Sequence, residues 1–251
     1  MSPRKKNRKK TRRIEHLPVI EHKYYIFCEG MKTEPLYFEG IKKAIEQNPI
    51  YRNMVIINIE GVGAETIKVI EAAEAKVKSL GVKNAHIWCV YDKDSSPPER
   101  FNKVSEKARA LNHSQNDVVY HAGWSNQCIE YWFILHFDYY DSDNDRKYYR
   151  KYLHKKFKDL GWNRYEKNNE ELFILLSLHG NPNQAIEWAK QRLNILTGLT
   201  DSQSVPATKV HELVEELAIF FPDDLRSKYI KKKIKFSDKN GIELPLDATQ
   251  D

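Results

Sequence analysis

Four acidic residues stand out by type and position: Glu29, Asp92, Asp94 and Glu130. Asp92 and Asp94 are separated by one residue at the end of an apolar run, AHIWCVYDKD over Ala85 to Asp94. Residues i and i+2 of an extended chain point to the same side. The pair can therefore face one point beyond the C-terminal end of a buried strand, where open α/β sheets bind ligands. Glu29 holds the equivalent place after a second run, KYYIFC at Lys23 to Cys28. Glu130 lies inside SNQCIEYWFILHF, Ser125 to Phe137, among residues that are nearly all apolar or aromatic. A carboxylate there must be protonated, paired with a base or bound to a metal. Hard oxygen donors in this number select Mg²⁺ or Mn²⁺, and no His or Cys cluster of the kind that zinc takes is visible. The chemistry that such an ion supports is phosphoryl transfer.

The elements that would position these acids follow from local pattern. Lys23 to Cys28 reads as a strand. A helix is expected from Thr33, which would cap it with Glu34 and Pro35 in its first turn, to about Gln47. Asn48-Pro49 stops it. Met54 to Ile59 is a second strand, Gly61-Val62-Gly63 a turn, and Ala64 to Leu80 a helix ended by Gly81. That turn lacks the third glycine and the Lys-Ser/Thr of a nucleotide loop, so it reads as a plain connection. After the Ala85 run, a helix over about Glu99 to Leu111 and a short strand over Asp117 to His121 complete a β-α-β-α-β-α-β order. This predicts an α/β fold with a mainly parallel four-stranded sheet flanked by helices.

Ser125 would cap a helix through Phe137, with Asn126 one turn before Glu130 on the same face and His136 as a satisfied core histidine. Asp138 to Asp145 is acidic but lacks the glycine and closing Glu of a calcium loop. An α-helical C-terminal half follows. Helices are expected over Arg146 to Leu160, Asn169 to Leu178 and Pro182 to Leu196, then a polar linker over Thr197 to Thr208 and an amphipathic helix over Lys209 to Phe220. From Pro222 the chain reads as a weakly ordered basic and polar tail. The expected division is an arm over 1–20, an α/β domain over 21–137, a helical region over 138–221 and a tail over 222–251.

The chain has 251 residues and a formal net charge of +6, and Met1 to Arg13 carries eight Lys or Arg with no acid. Such an arm suits contact with nucleic acid, or else serves as a solubilising terminus. Cys28, Cys89 and Cys128 sit in apolar runs without CxxC spacing, as small buried residues in a reducing compartment. No run approaches the length of a membrane span, and the basic start lacks the apolar segment of a secretory signal. A soluble cytoplasmic protein with no membrane partner is expected.

Three segments resemble the signature blocks of the RloB-like proteins: EGMKTEPLYF at Glu29 to Phe38, VYDKD at Val90 to Asp94, and SNQCIEYWFILHF at Ser125 to Phe137. That family is associated with bacterial phage defence and restriction loci and carries a Toprim-like core. The resemblance covers about Lys23 to Phe220. It implies a Toprim-like catalytic domain over 21–137, in which Glu29 matches the glutamate after the first strand and Asp92 and Asp94 match the DxD after the third. These three would hold Mg²⁺ or Mn²⁺. Glu130 matches the glutamate of the family's own S-N-x-x-x-E-x-W block and joins them as a catalytic candidate. Lys32, Lys93 and Asn126 are candidate contacts to phosphate or nucleic acid.

The tyrosine domain of the topoisomerase branch has no counterpart here, so the resemblance implies hydrolysis of DNA or RNA, tRNA included, rather than strand passage. An ATPase or another protein of the defence locus is the second implied partner, and the oligomeric state is left open. Two rival readings stand beside this one. A haloacid-dehalogenase-like phosphatase would use Asp92 as its nucleophile. A non-catalytic nucleic-acid-binding or sensing subunit of a defence complex would rest on the basic termini alone.

Overall fold

The computed structural model describes residues 22–114 and 117–230. The basic arm and the tail beyond residue 230 lie outside them. In chain order the elements are β1 (His22–Cys28), α1 (Thr33–Glu46), β2 (Val55–Gly61), α2 (Thr66–Leu80), β3 (Ala85–Asp92), α3 (Pro98–Ser114), β4 (Val118–Asn126), α4 (Glu130–Ile134), α5 (Arg146–Asp159), α6 (Leu172–His179), α7 (Pro182–Ile195), β5 (Ala207–Thr208), α8 (Val210–Ala218) and α9 (Asp223–Tyr229). The sheet order is β2-β1-β3-β4-β5. Its first four strands are parallel, and β5 runs antiparallel to β4. β3 is therefore an interior strand, which accounts for its lack of polar alternation.

Side-chain alternation divides the core by sheet face. Tyr24, Ile26, Cys28, Trp88 and Val90 pack into one cluster with residues of α1 and of α4 to α9. Phe27, Ile87, Cys89, Tyr91 and Trp124 pack into a second cluster with α2 and α3. Asn48, just past α1, donates through Nδ2 to the carbonyls of Phe220 and Phe221 at 3.1 and 3.0 Å. The first crossover is thereby fastened to the end of α8. Among the described residues no helix is long and apolar enough to cross a membrane.

Several local expectations are corrected. The sheet has five strands, because Ala207 and Thr208, inside the segment read as a linker, pair with Asn126 and Ser125. β4 does not stop at His121: it stays in register with β3 as far as the pair Asp92 and Ser125. Ser125 is thus a strand residue, its hydroxyl 2.9 Å from that of Thr208, and caps no helix. The helix expected over 125–137 is the five-residue α4, and the apolar run reflects burial rather than helix length. Thr33 is the first residue of α1 and does not cap it, since Lys32 takes the cap position without a side-chain bond. α9 occupies the start of the segment read as a tail, with Tyr229 buried and its hydroxyl 2.6 Å from that of Ser177. Gly81 does end α2 in a left-handed conformation, and the Asn181 side chain caps α7.

Candidate active site

Backbone pairing sets the position of each acid at the carboxyl end of the sheet. Glu29 follows β1, and its N–H donates to the Val90 carbonyl at 2.8 Å while its carbonyl accepts from Gly63 N–H at 3.0 Å. Both neighbouring strands thus hold its main chain. Its Oε2 accepts the Asp92 N–H at 3.0 Å and its Oε1 accepts the Thr66 hydroxyl at 3.2 Å. Burial raises its pKa above the usual carboxylate value, against those two hydrogen bonds, with the charges of Glu34 and Asp94 adding to the rise. Close packing carries β2 past this point: a Cβ on Gly61 would meet the Gly30 carbonyl oxygen at 2.9 Å.

Asp92 is the last residue of β3 and shares the face of Trp88 and Val90. Its Oδ1 is buried and has no hydrogen-bond partner. Burial, followed by the negative charges of Glu34, Glu130 and Glu29, holds this carboxyl well above its ordinary pKa, with Lys167 acting the other way. Asp94 is not in extended chain: its φ is +36°, a left-handed conformation that Asp tolerates better than most residues. The i, i+2 rule therefore does not bring the two aspartates together. Instead Lys93 N–H donates to the Ser125 carbonyl at 2.8 Å and Asp94 N–H to that of Gln127 at 2.9 Å, extending the pairing with β4 through the loop.

Glu29, Asp92 and Asp94 line one cleft of about 210 Å³, together with Thr66, Ser96 and Arg100. The Asp94 carboxylate is paired with Arg146 of α5. The ligand oxygens of these three acids do not all lie within 4.8 Å of one another, so a cation held by all three would have to draw the Asp94 carboxylate off Arg146. Glu130 is not part of that lining. It is buried on α4, where its Oε1 accepts from Arg150 Nε at 3.0 Å and from the Tyr165 hydroxyl at 3.3 Å. It has the ion-pair partner that a buried carboxylate requires, and its charge still acts on Asp92.

Sequence reasoning placed Asn126 one helical turn before Glu130. The structure puts it at the end of β4, buried, with its amide donating to the Ser202 carbonyl at 3.0 Å. Lys93 turns its ammonium back onto the Ser96 carbonyl at 2.5 Å. Lys32 is exposed at the start of α1. His136 is buried with Nδ1 3.0 Å from the Trp132 carbonyl, as a core histidine should be.

Four partners were not anticipated. Glu34, read only as an acid suited to the start of a helix, is buried near Glu130 and Asp92, and burial first raises its pKa. Lys167 is a basic group whose charge reaches Glu34 and Asp92. Arg146 and Arg150 sit one turn apart on α5 and bind Asp94 and Glu130 respectively. Their i, i+4 spacing beside an acidic cluster was a signal available in the sequence. The expectation that no histidine cluster exists is also overturned: His86, His121 and Glu216, distant in sequence, converge in space.

No curated protein and no solved structure matches this chain. The family model of the RloB-like proteins matches residues 24–217, from β1 to α8, a span that contains all four acids and both arginines. Since that match takes in most of the sequence, the chain belongs to the RloB-like family.

Proposed function

We propose that the protein is a metal-dependent nuclease, hydrolysing phosphodiester bonds of DNA or RNA in bacterial anti-phage defence, with Mg²⁺ or Mn²⁺ held by Glu29, Asp92 and Asp94. The observation that carries this reading is the Asp92 Oδ1 atom: buried, without a hydrogen-bond partner, and surrounded by the charges of Glu34, Glu130 and Glu29. A carboxylate so placed is stable only if it is protonated or if a cation joins it. The donors are oxygens, which suit a hard divalent ion. Bound there, the ion would supply a Lewis acid for the scissile phosphate and lower the pKa of an attacking water.

The chain's own residues divide the remaining work. Glu29 is oriented by the Thr66 hydroxyl and the Asp92 N–H, so its carboxylate does not have to reorganise when charge develops. Arg100, on the cleft rim, pairs at 2.7 Å with Glu65, but both side chains are mostly exposed and such pairs are weak. The guanidinium is free to exchange that partner for a substrate phosphate. The acid after the first strand and the Asp-x-Asp after the third follow the order of Toprim domains, which supports this assignment. Nucleic acid is the proposed partner, with an ATPase or another protein of the same locus as a second.

The test is cleavage of single- and double-stranded DNA and of structured RNA, tRNA included, with Mg²⁺ or Mn²⁺ and with the defence trigger supplied. Wild type should cleave at least one of these, and Asp92→Asn should lose at least about 100-fold in rate, the upper end for lost support of a metal ligand. Wild type inert towards every substrate, or an Asp92→Asn variant as active as wild type, sinks the reading in favour of a binding subunit.

A further inference from the structure

A second set of donors lies on the sheet face that α8 covers. His86 is the second residue of β3 and Asp92 its last, a separation of about 20 Å along the strand. His86 Nδ1, His121 Nε2 and Glu216 Oε1 all lie within 4.8 Å of one another. The two histidine nitrogens are 3.1 Å apart, and His86 Nδ1 is 3.0 Å from Glu216 Oε1. Donors at the roughly 2.0–2.1 Å bond lengths of tetrahedral zinc stand about 3.3 Å from each other. Two of the three donor spacings are already close to that value.

The scaffold holds the rings in this arrangement. His121 stacks on Trp88 with centroids 4.4 Å apart and on His86 at 5.3 Å, each at 10° between planes. Tyr24, the neighbour of His86 on β1, stacks on the His86 ring with centroids 5.3 Å apart. Strand register enforces both contacts, since Tyr24 pairs with His86 and Trp88 with His121. The Tyr24 hydroxyl donates to Glu216 Oε1 at 3.2 Å, the kind of outer contact that orients a metal-binding carboxylate. A single N–H on His86 Nδ1 can serve either the imidazole nitrogen or the carboxylate well, whereas a cation takes a lone pair from all three donors. The His86 and Glu216 side chains are 40% and 26% exposed, which leaves solvent access for a fourth ligand.

We propose that His86, His121 and Glu216 form a site for a four-coordinate transition-metal ion, Zn²⁺ foremost, with water as the fourth ligand and Tyr24 as a positioning residue. Two imidazoles and one carboxylate suit a borderline-soft ion rather than Mg²⁺. The ligands come from β3, β4 and α8, so the ion fastens the last part of the matched region to the middle of the sheet. This site is independent of the nuclease reading.

The experiment uses full-length protein stripped with a chelator, then titrated with Zn²⁺ by calorimetry and with Co²⁺ by visible absorption. Melting temperature is followed in parallel. Wild type should take up one tight Zn²⁺ per chain, show the absorption of four-coordinate Co²⁺, and melt at a higher temperature with Zn²⁺ present. Asp92→Asn should retain all three properties, which separates this site from the acidic cleft. Glu216→Gln and the milder, more exposed His86→Asn should lose the equivalent, and Tyr24→Phe should bind about 10- to 100-fold more weakly. Unchanged affinity in both Glu216→Gln and His86→Asn, or a Zn²⁺ equivalent that disappears in Asp92→Asn alone, would overturn the proposal.

Discussion

Glu29 directly follows β1 and Asp92 ends the neighbouring parallel strand β3, and the side chain of the first accepts the backbone N–H of the second at 3.0 Å. One acid therefore fixes the main chain that carries the other, while the Asp92 Oδ1 atom is left without a partner.

That arrangement makes the buried Asp92 carboxylate a cost to stability. Burial and the charges of Glu34, Glu130 and Glu29 raise the Asp92 pKa in the fold, so the unfolded chain releases its proton more readily. The resulting loss of stability is absent below the unfolded pKa and grows as pH rises above it. Asp92→Asn removes the titration. With chelator present, its urea midpoint should exceed that of wild type at neutral pH, with a smaller gap near pH 4. A variant less stable than wild type at both pH values would mean that the carboxyl makes favourable contacts that outweigh its burial.

Arg146 neutralises Asp94 in the cleft. Removing a cation beside the proposed metal site should strengthen binding there, so Arg146→Ala should bind Mg²⁺ several-fold more tightly than wild type. Calorimetry of the two proteins decides it. Weaker binding by the variant would show that the guanidinium holds Asp94 in its binding position.

Arg150 and Glu130 form a pair in which the carboxylate is buried. Arg150→Ala takes away the ion-pair partner of that charge, leaving the Tyr165 hydroxyl and the Cys128 thiol, and should destabilise the fold by about 3 kcal/mol. Glu130→Gln should cost less, since the neutral amide needs no counter-charge. Equal losses in denaturant midpoint for both variants would contradict a pair whose weight lies in compensating Glu130.

His136 and His211 are buried, and burial lowers each to about 4, against the pull of the Trp132 and Thr208 carbonyls. Unfolded histidine titrates near 6.5, so the unfolded chain gains these protons first as pH falls. Their contribution to stability is full above about pH 6.5 and is lost progressively towards pH 4, by roughly 3 kcal/mol for each group. Urea unfolding with chelator at about pH 7, 6 and 5 should show the decline. His136→Gln should flatten it, and an unchanged slope would place the protons elsewhere.

What the sequence disclosed was local. The apolar run before Asp92, the aromatic strand before Glu29 and the Gly81 helix end each carry their signal within a few residues, and the structure places these segments as interior strands and a helix closed by a left-handed glycine. The stretch HAGWSN after Tyr120 carries no strand period, because β3 on one side and Thr208 on the other hold it extended. Two-residue β5 is too short to show any period. Glu34 acquires its setting only when α4 and the loop bearing Lys167 pack beside it. His86, His121 and Glu216 meet across three elements, and no spacing rule joins them.

The fifth strand also bears on the order of synthesis. All four parallel strands have left the ribosome once residue 126 has emerged, yet the hydroxyl partner of Ser125 is Thr208 and the Asn126 amide waits for the Ser202 carbonyl. Until α8 follows, the nascent sheet lacks part of the packing on the face of Tyr24 and Trp88, which α1 shares with the later helices. Translation must therefore run almost to the end of the matched region before this face can close. A chain that ends before β5 should therefore leave this face open and be prone to aggregate rather than to fold.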